Sequence, residues 1–224
     1  MMERHVVATA DGSHSLFVPA LDEHYHSRHG ALQESRHVFI EMGLRPCMAG
    51  QSQIRILEIG FGTGLNALLT AVEAVGFAGR IDYWAVEAYP LTPSETALLN
   101  YPDLVGDEKA AMIWNAIHGA DWGESVEIIP GFFLTKLHAK IEDFDLPTPV
   151  DLIYFDAFAP EKQPELWSAA IFGKMFRLLQ SPGLLTTYCA KGDVRRTMLA
   201  AGFQVRKEKG PPGKREMLVA TKQD

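Results

Sequence analysis

Two stretches of this sequence carry residues whose types and spacing can do chemistry. "YFDAFAPEKQPELW" (154–167) closes an apolar strand on one carboxylate, Asp156, and then turns into a Phe/Pro-rich loop. A charge at the exit of a buried strand is costly without a partner. Asp156 is therefore either a turn acid that accepts bonds from the next N–H groups or a reactive carboxylate. "LEIGFGTGLN" (57–66) sets Gly60, Gly62 and Gly64 between a strand and a helix. Glycines there let the backbone turn sharply and come close to a ligand, and the helix N-terminus favours polar or anionic groups. The dinucleotide fingerprint G-x-G-x-x-G needs glycine at position 65, where this chain has Leu65, which argues against a nicotinamide-binding protein. Glu87 ends the next strand, where doubly wound folds place an acid on ribose hydroxyls.

Positioning these groups requires alternating strands and helices. The spacing predicts a short β-rich entry with a turn at Asp11-Gly12 and then a helix, "GALQESRHVFIEMGL". "IRILEIG", the glycine loop and "LNALLTAVEAV" form a strand–loop–helix unit. Further strands are expected at "IDYWAVEA", "VEIIPGF", "VDLIYFD" and "LLTTYCA". Helices are expected over 92–119 (in two pieces broken at "NYPDLVGDE"), over 164–180 (ending at "SPG") and at "GDVRRTMLAAG", with Asp193 at its N-terminus. The last segment reads as two strands around a Gly/Pro turn. The expected architecture is α/β: a mostly parallel sheet covered on both faces, closed by an antiparallel hairpin. Residues 1–50 are expected to form an extension packed on one domain, residues 51–224.

Composition excludes some classes of protein. A chain of 224 residues with 47% hydrophobic and 22% charged residues suits one globular domain. No run approaches the length of a membrane span, no signal peptide is read at the start, and two cysteines, Cys47 and Cys189, are too few for a disulfide framework. A reducing cytoplasm is the expected location. The formal charge of −7 is uneven: residues 191–224 hold nine Lys/Arg against four Asp/Glu, and the rest hold twelve against twenty-four. That basic end can meet phosphates or be a solvated face. Six of the eight histidines lie within the first 37 residues, but no Cys or carboxylate spacing completes a zinc pattern, so no metal is expected.

The spacing Glu58-x-Gly60-x-Gly62-x-Gly64 resembles motif I of S-adenosylmethionine-dependent methyltransferases. Four stretches together, "DEHYHSRHGALQESRHVF" (22–39), "LEIGFGTGLN", "YFDAFAPEKQPELW" and "GPPGKREML" (210–218), resemble one family. It comprises the methyltransferases that complete 5-methylaminomethyl-2-thiouridine at the tRNA wobble position (MnmC/MnmD type). The resemblance implies a class I, Rossmann-like methyltransferase fold and S-adenosylmethionine as co-substrate. It assigns the co-substrate to Glu58, Gly60, Phe61, Gly62, Thr63, Gly64, Asn66 and Glu87. It also implies the stand-alone form of the enzyme, with a separate oxidase supplying the substrate. One departure stands out: where such folds often hold adenine with an acid after the third strand, "IIPGFF" offers Phe132 and Phe133, which predicts stacking and backbone contacts instead.

The acceptor implied is the primary amine of 5-aminomethyl-(2-thio)uridine in a tRNA anticodon stem-loop. Asp156 would accept a hydrogen bond from that amine, with Phe155, Phe158 and Pro160 desolvating it. Tyr25, Phe158 and Trp167 are candidate stacking platforms for a splayed base. On the family pattern Tyr25, Ser27, Glu34 and Ser35 fall near the transfer pocket, and Phe158, Lys162, Lys214 and Arg215 complete the expected acceptor side. Phosphate candidates are Lys191, Arg195, Arg196, Lys207, Lys209, Lys214 and Arg215. Two other readings stay open: a methyltransferase of the same fold acting on a small-molecule or protein amine, and a non-catalytic or nicotinamide-binding Rossmann protein.

Overall fold

A computed structural model describes residues 3–223 of the chain. Strands β1 (His5–Ala8), β2 (His14–Val18) and β3 (Glu23–His24) form a small antiparallel sheet. A continuous helical segment follows: α1 (Ala31–Ser35), a wide π-type turn over Arg36–Leu44, and α2 (Arg45–Met48). Then come β4 (Gln53–Ile59), α3 (Leu65–Ala74), β5 (Arg80–Glu87), α4 (Pro93–Thr96), α5 (Tyr101–Val105) and α6 (Ala110–Gly119). The remainder is β6 (Ser125–Ile129), β7 (Phe132–His138), β8 (Val150–Phe155), a 3-10 turn (Pro164–Trp167), α7 (Ala169–Leu178), β9 (Leu179–Thr187), α8 (Gly192–Ala200), β10 (Gln204–Lys209) and β11 (Glu216–Lys222).

The eight-stranded sheet runs β10-β11-β9-β8-β4-β5-β7-β6. Strands β9, β8, β4, β5 and β7 are mutually parallel, and β11 lies antiparallel between β9 and β10. This is the expected parallel sheet with its terminal hairpin. From β4 the chain winds outward through β5 to β7, then returns to β8 on the other side of β4. The reversal opens a crevice at the carboxyl ends of β4 and β8, where open α/β sheets bind ligands.

Alternation along each strand sorts side chains between two cores. Ile54, Ile56, Tyr83 and Tyr154 pack under Val38, Phe39, Leu44, Leu65 and Leu68 on one face. Leu57, Ile59, Ile153 and Phe155 pack under Ile171, Phe172, Met175 and Met198 on the other. Leu16, Ala31 and Val38 of the N-terminal segment are fully buried in the first core. By the same alternation Asp156 follows Tyr154 toward the N-terminal segment and α3, while Phe155 points away. Phe155 stacks on Trp167 and Phe172 at ring separations of 5.0 and 5.1 Å, so it cannot desolvate an amine at Asp156.

The structure departs from several expected elements. "VEIIPGF" is a hairpin: β6 and β7 pair antiparallel across Pro130-Gly131, with a register shift at Glu127/Ile129, and the third parallel strand is β7. Phe132 and Phe133 therefore stand at its entry end, opposite Ile81 and Asp82. Residues 92–119 form three helical pieces, since Pro102 at the first turn lets α5 start inside the expected break. Helix α7 stops at Leu178, and "SPG" lies inside β9, beside a register irregularity where a proline is tolerated in a sheet. Asp193 sits in the first turn of α8 without capping it; the N-cap residue is Lys191.

Candidate active site

A cavity of about 850 Å³ opens over the carboxyl ends of β4, β5, β7, β8 and β9 and is roofed by residues 23–28 and 214–216. Its floor is the glycine loop. Gly60 has φ +87°, and a Cβ there would lie 2.6 Å from the Asp156 backbone carbonyl. Only a residue without a side chain lets the loop lie against the end of β8. Gly62, at φ +50°, runs under Tyr25, whose ring a Cβ would meet at 3.2 Å. The bare backbone so formed is a cradle for a nucleoside-sized group. Glu87 stands at its edge: one carboxylate oxygen accepts Gly62 N–H at 2.9 Å and the other Tyr89 N–H at 2.7 Å. A carboxylate has about four lone-pair sites, so acceptor capacity remains for hydroxyl groups.

Asp156 lines the cavity beside this cradle, with its N–H bound to Ile59 O at 2.9 Å. Asn66, in the first turn of α3, donates through Nδ2 to Asp156 Oδ2 at 2.9 Å and to Glu58 Oε1 at 3.0 Å. Burial pushes the Asp156 carboxyl up to about 7; nearby Glu34 adds to the rise, while the Asn66 bond and the Lys214 charge oppose it. Burial also drives Glu58, fully inaccessible beneath the loop, well above the usual carboxylate range. Glu34 is itself buried and accepts Ser27 N–H at 2.9 Å and Lys214 Nζ at 2.5 Å. The Lys214 ammonium also lies 4.0 Å from the centre of the Tyr188 ring.

The half of the cavity nearer the N-terminal segment is aromatic. Tyr25 and Phe158 meet edge-to-face at 5.0 Å. The Tyr25 hydroxyl accepts from Arg4 Nε at 2.9 Å, and the same guanidinium donates to the Tyr89 carbonyl at 2.7 Å and to Glu95 at 3.0 Å. His26 is buried between Ser15 and Thr63 of the glycine loop, and burial lowers its imidazole to about 4, so it is neutral.

The lining thus includes Gly60, Phe61, Gly62, Thr63, Asn66, Glu87, Asp156, Tyr25, Ser27, Glu34, Phe158, Lys214 and Arg215. Glu58 and Gly64 lie behind it, Glu58 under the loop and Gly64 at the N-cap of α3. Three expectations are corrected. Ser35 is one step around the helix from Glu34, about 100°, and is buried outside the lining. Lys162 also lies outside it and pairs with Asp22 at 3.4 Å. Trp167 is core, its indole N–H bound to the Phe158 carbonyl at 2.8 Å. The basic end is partly neutralised: Lys191 pairs with Glu161, Arg196 with Asp193, Lys207 with Glu216 and Lys214 with Glu34. Arg195, Lys209 and Arg215 make no ion pair among the described residues.

Sequence reasoning missed two parts of the lining. The first is Ala139–Glu142, which follows the true end of β7 and lines the cavity next to Glu87. An acid after the third strand is present there, Glu142, hidden from the sequence reading by the unrecognised β6–β7 hairpin. The second is Tyr188, whose hydroxyl bonds the Ala157 carbonyl at 2.8 Å; the alternation of β9 carried beyond Thr187 was the available signal. Among the described residues no group of three or more His, Cys, Asp or Glu is arranged to hold a metal ion. Nor is any helix there long and apolar enough to cross a membrane.

Comparison with known proteins agrees with this geometry. A family model described as S-adenosyl-L-methionine-dependent methyltransferase matches residues 132–223. The chain is 33% identical, over 91% of its length, to the tRNA 5-methylaminomethyl-2-thiouridine biosynthesis bifunctional protein MnmC of Pseudomonas aeruginosa. It is 34% identical, over 92%, to the protein of the same name from Aromatoleum aromaticum. In both cases it spans about a third of the relative's length (33%). The crystal structure of MNMC2 from Aquifex aeolicus superposes with a TM-score of 0.79, covering 98% of this chain and 70% of that one at 24% identity, which shows the common fold. The chain thus has the fold of the S-adenosyl-L-methionine-dependent methyltransferases and is similar, over nine-tenths of its length, to the matched third of the MnmC proteins.

Proposed function

We propose that this protein transfers a methyl group from S-adenosyl-L-methionine to the primary amine of 5-aminomethyl-(2-thio)uridine at the tRNA wobble position. The observation that carries this reading is the placement of Asp156: a cavity-lining carboxylate, held up to about 7 by burial, against the glycine cradle and below an aromatic pair. The names of the matched relatives supply the RNA and the nucleoside. Residues 1–50 serve as the extension that completes the acceptor half, through Tyr25 and Glu34.

Bound S-adenosyl-L-methionine supplies a methyl group on a positively charged sulfur. The cradle Gly60–Gly64 and Glu87 hold the nucleoside part, and Glu142 with Ile141 stands where the base would lie. An alkylammonium has no lone pair, so the site must present the neutral amine in line with the methyl–sulfur bond. Asp156 accepts a hydrogen bond from the amine N–H and takes up the proton released as the N–C bond forms and the methyl–sulfur bond breaks, the sulfur leaving as the neutral thioether of S-adenosyl-L-homocysteine. A base whose pKa lies near the working pH is well matched to this task, with contributions of about 10²–10⁴-fold. Lys214, fixed by Glu34, opposes binding of the acceptor as a cation and so favours its neutral form. Tyr25 and Phe158 stack on or flank the uracil ring.

The test is to incubate the protein with labelled S-adenosyl-L-methionine and tRNA from cells lacking this enzyme, then analyse the nucleosides. Label in 5-methylaminomethyl-(2-thio)uridine supports the reading. Label only in small amines or protein would favour the alternative acceptors.

A further inference from the structure

We propose that Asn66 is the positioning residue of Asp156, the bracket that orients this carboxylate and keeps it in its proton-accepting form. The proposal rests on the reading of Asp156 as the partner of the acceptor amine. Its ground is geometric. The Asn66 amide nitrogen carries two hydrogens, and both are spent on carboxyl groups: Glu58 Oε1 at 3.0 Å and Asp156 Oδ2 at 2.9 Å. Asn66 is buried on α3, one residue after the helix begins, and its carbonyl oxygen has no hydrogen-bond partner among the described residues. A buried amide whose oxygen is left unpaired is an arrangement a protein keeps only where the nitrogen is needed. Two acceptors on one side require the nitrogen, not the oxygen, to face Asp156. Glu58, on β4 beneath the loop, therefore fixes the amide, and the amide fixes Asp156.

Asn66 thus has a different task from the co-substrate contact expected of the sequence "GTGLN". Its side chain reaches past the glycine cradle to the reacting carboxylate. Asp156 also faces Glu58 from β4, Tyr83 from β5, Glu34 from α1, Lys214 from the 210–215 loop and Tyr188 beyond β9. Of these, Glu34 disfavours the charged carboxylate and Lys214 favours it. Among the described residues Asn66 is the one neutral side-chain donor bonded directly to it.

The test compares the pH dependence of kcat/KM for the tRNA acceptor, from pH 6 to 9, in the wild-type protein and in Asn66→Ala. The acceptor's own ammonium contributes the same limb to both profiles, so the difference reports Asp156. Loss of a hydrogen bond to a charged group raises a carboxyl pKa by about one unit. The limb, expected near 7, should therefore move up by about one unit, with a roughly fivefold loss at pH 7 that is largely recovered at pH 9. Affinity for S-adenosyl-L-methionine, measured by titration without RNA, should change less than threefold, on the order of 0.6 kcal/mol. Asn66→Ser, which stays polar but is too short to span both acids, gives the same displacement and serves if the alanine form does not fold. An unmoved limb with co-substrate affinity weakened tenfold or more would make Asn66 a co-substrate ligand and overturn the proposal. Normal turnover of Asp156→Asn would instead overturn the reading of Asp156 itself.

Discussion

Replacing Asp156 with asparagine should cripple turnover and stabilise the fold, and the two effects can be read separately. The carboxyl titrates near 3.8 in the unfolded chain and is pushed up to about 7 by burial in the folded one. Between those values the folded state binds more protons than the unfolded state, so stability falls as pH rises from about 4 to about 7 and is then level. At 1.36 kcal/mol per unit, the full shift corresponds to roughly 4 kcal/mol of native-state destabilisation at pH 8. Asp156→Asn keeps the shape and removes the charge. It should raise Tm at pH 8 by about 2–4 °C for each kcal/mol recovered, and the gain should vanish near pH 4. Methyl transfer to tRNA should fall about 10²–10⁴-fold, with S-adenosyl-L-methionine binding retained. Calorimetry at pH 4, 6 and 8 beside a single-turnover methylation assay measures both. An equal Tm change at all three pH values would refute the burial argument, and unchanged turnover would refute the chemical role.

Other consequences are more local. Gly60→Ala sets a methyl group 2.6 Å from the Asp156 carbonyl at φ +87° and should abolish co-substrate binding in equilibrium titration, even in protein that remains folded. Glu87→Gln replaces two acceptors of backbone N–H groups with one and should weaken S-adenosyl-L-methionine binding by about 10–100-fold, on the scale of hydrogen bonds to a charged group. Lys174 donates to the carbonyls of Ile141, Glu142 and Phe144; Lys174→Met should loosen that cavity wall and raise KM for the co-substrate, with kcat nearly unchanged. With Lys191, Arg196, Lys207 and Lys214 already paired, three cations (Arg195, Lys209 and Arg215) are left to meet phosphates. The log–log salt slope of tRNA binding should then be about −2 to −3, where seven free cations would give about −5 to −6.

Why parts of this molecule were legible in its sequence follows from how local their physics is. The β4–loop–α3 unit and Asp156 were readable because strand, glycines and acid lie within short stretches and obey one periodicity. The β6–β7 hairpin was not, because Pro130-Gly131 interrupts an apolar run that otherwise resembles one strand. The error carried over to the cavity, placing the end of the third strand at Phe132 instead of His138 and concealing Glu142. "SPG" signals a turn in isolation, yet β9 carries it at an irregular register beside β8, a tertiary circumstance. Ser35 and Glu34 are indistinguishable by motif, and only the helix phase separates them. Likewise the neutralised cations of the basic end depend on partners such as Glu161 and Glu34, far away in sequence.

The guanidinium of Arg4 reaches Tyr25, the Tyr89 carbonyl and Glu95 at once, and this gives Arg4 an unexpected importance. Arg4 acts as a tendon tying Tyr25, in the roof of the cavity, to the 89–95 segment that follows Glu87. Trimming the chain past position 4, or crowding it with a bulky tag, should slacken both sides of the cleft together, although no reacting atom lies there.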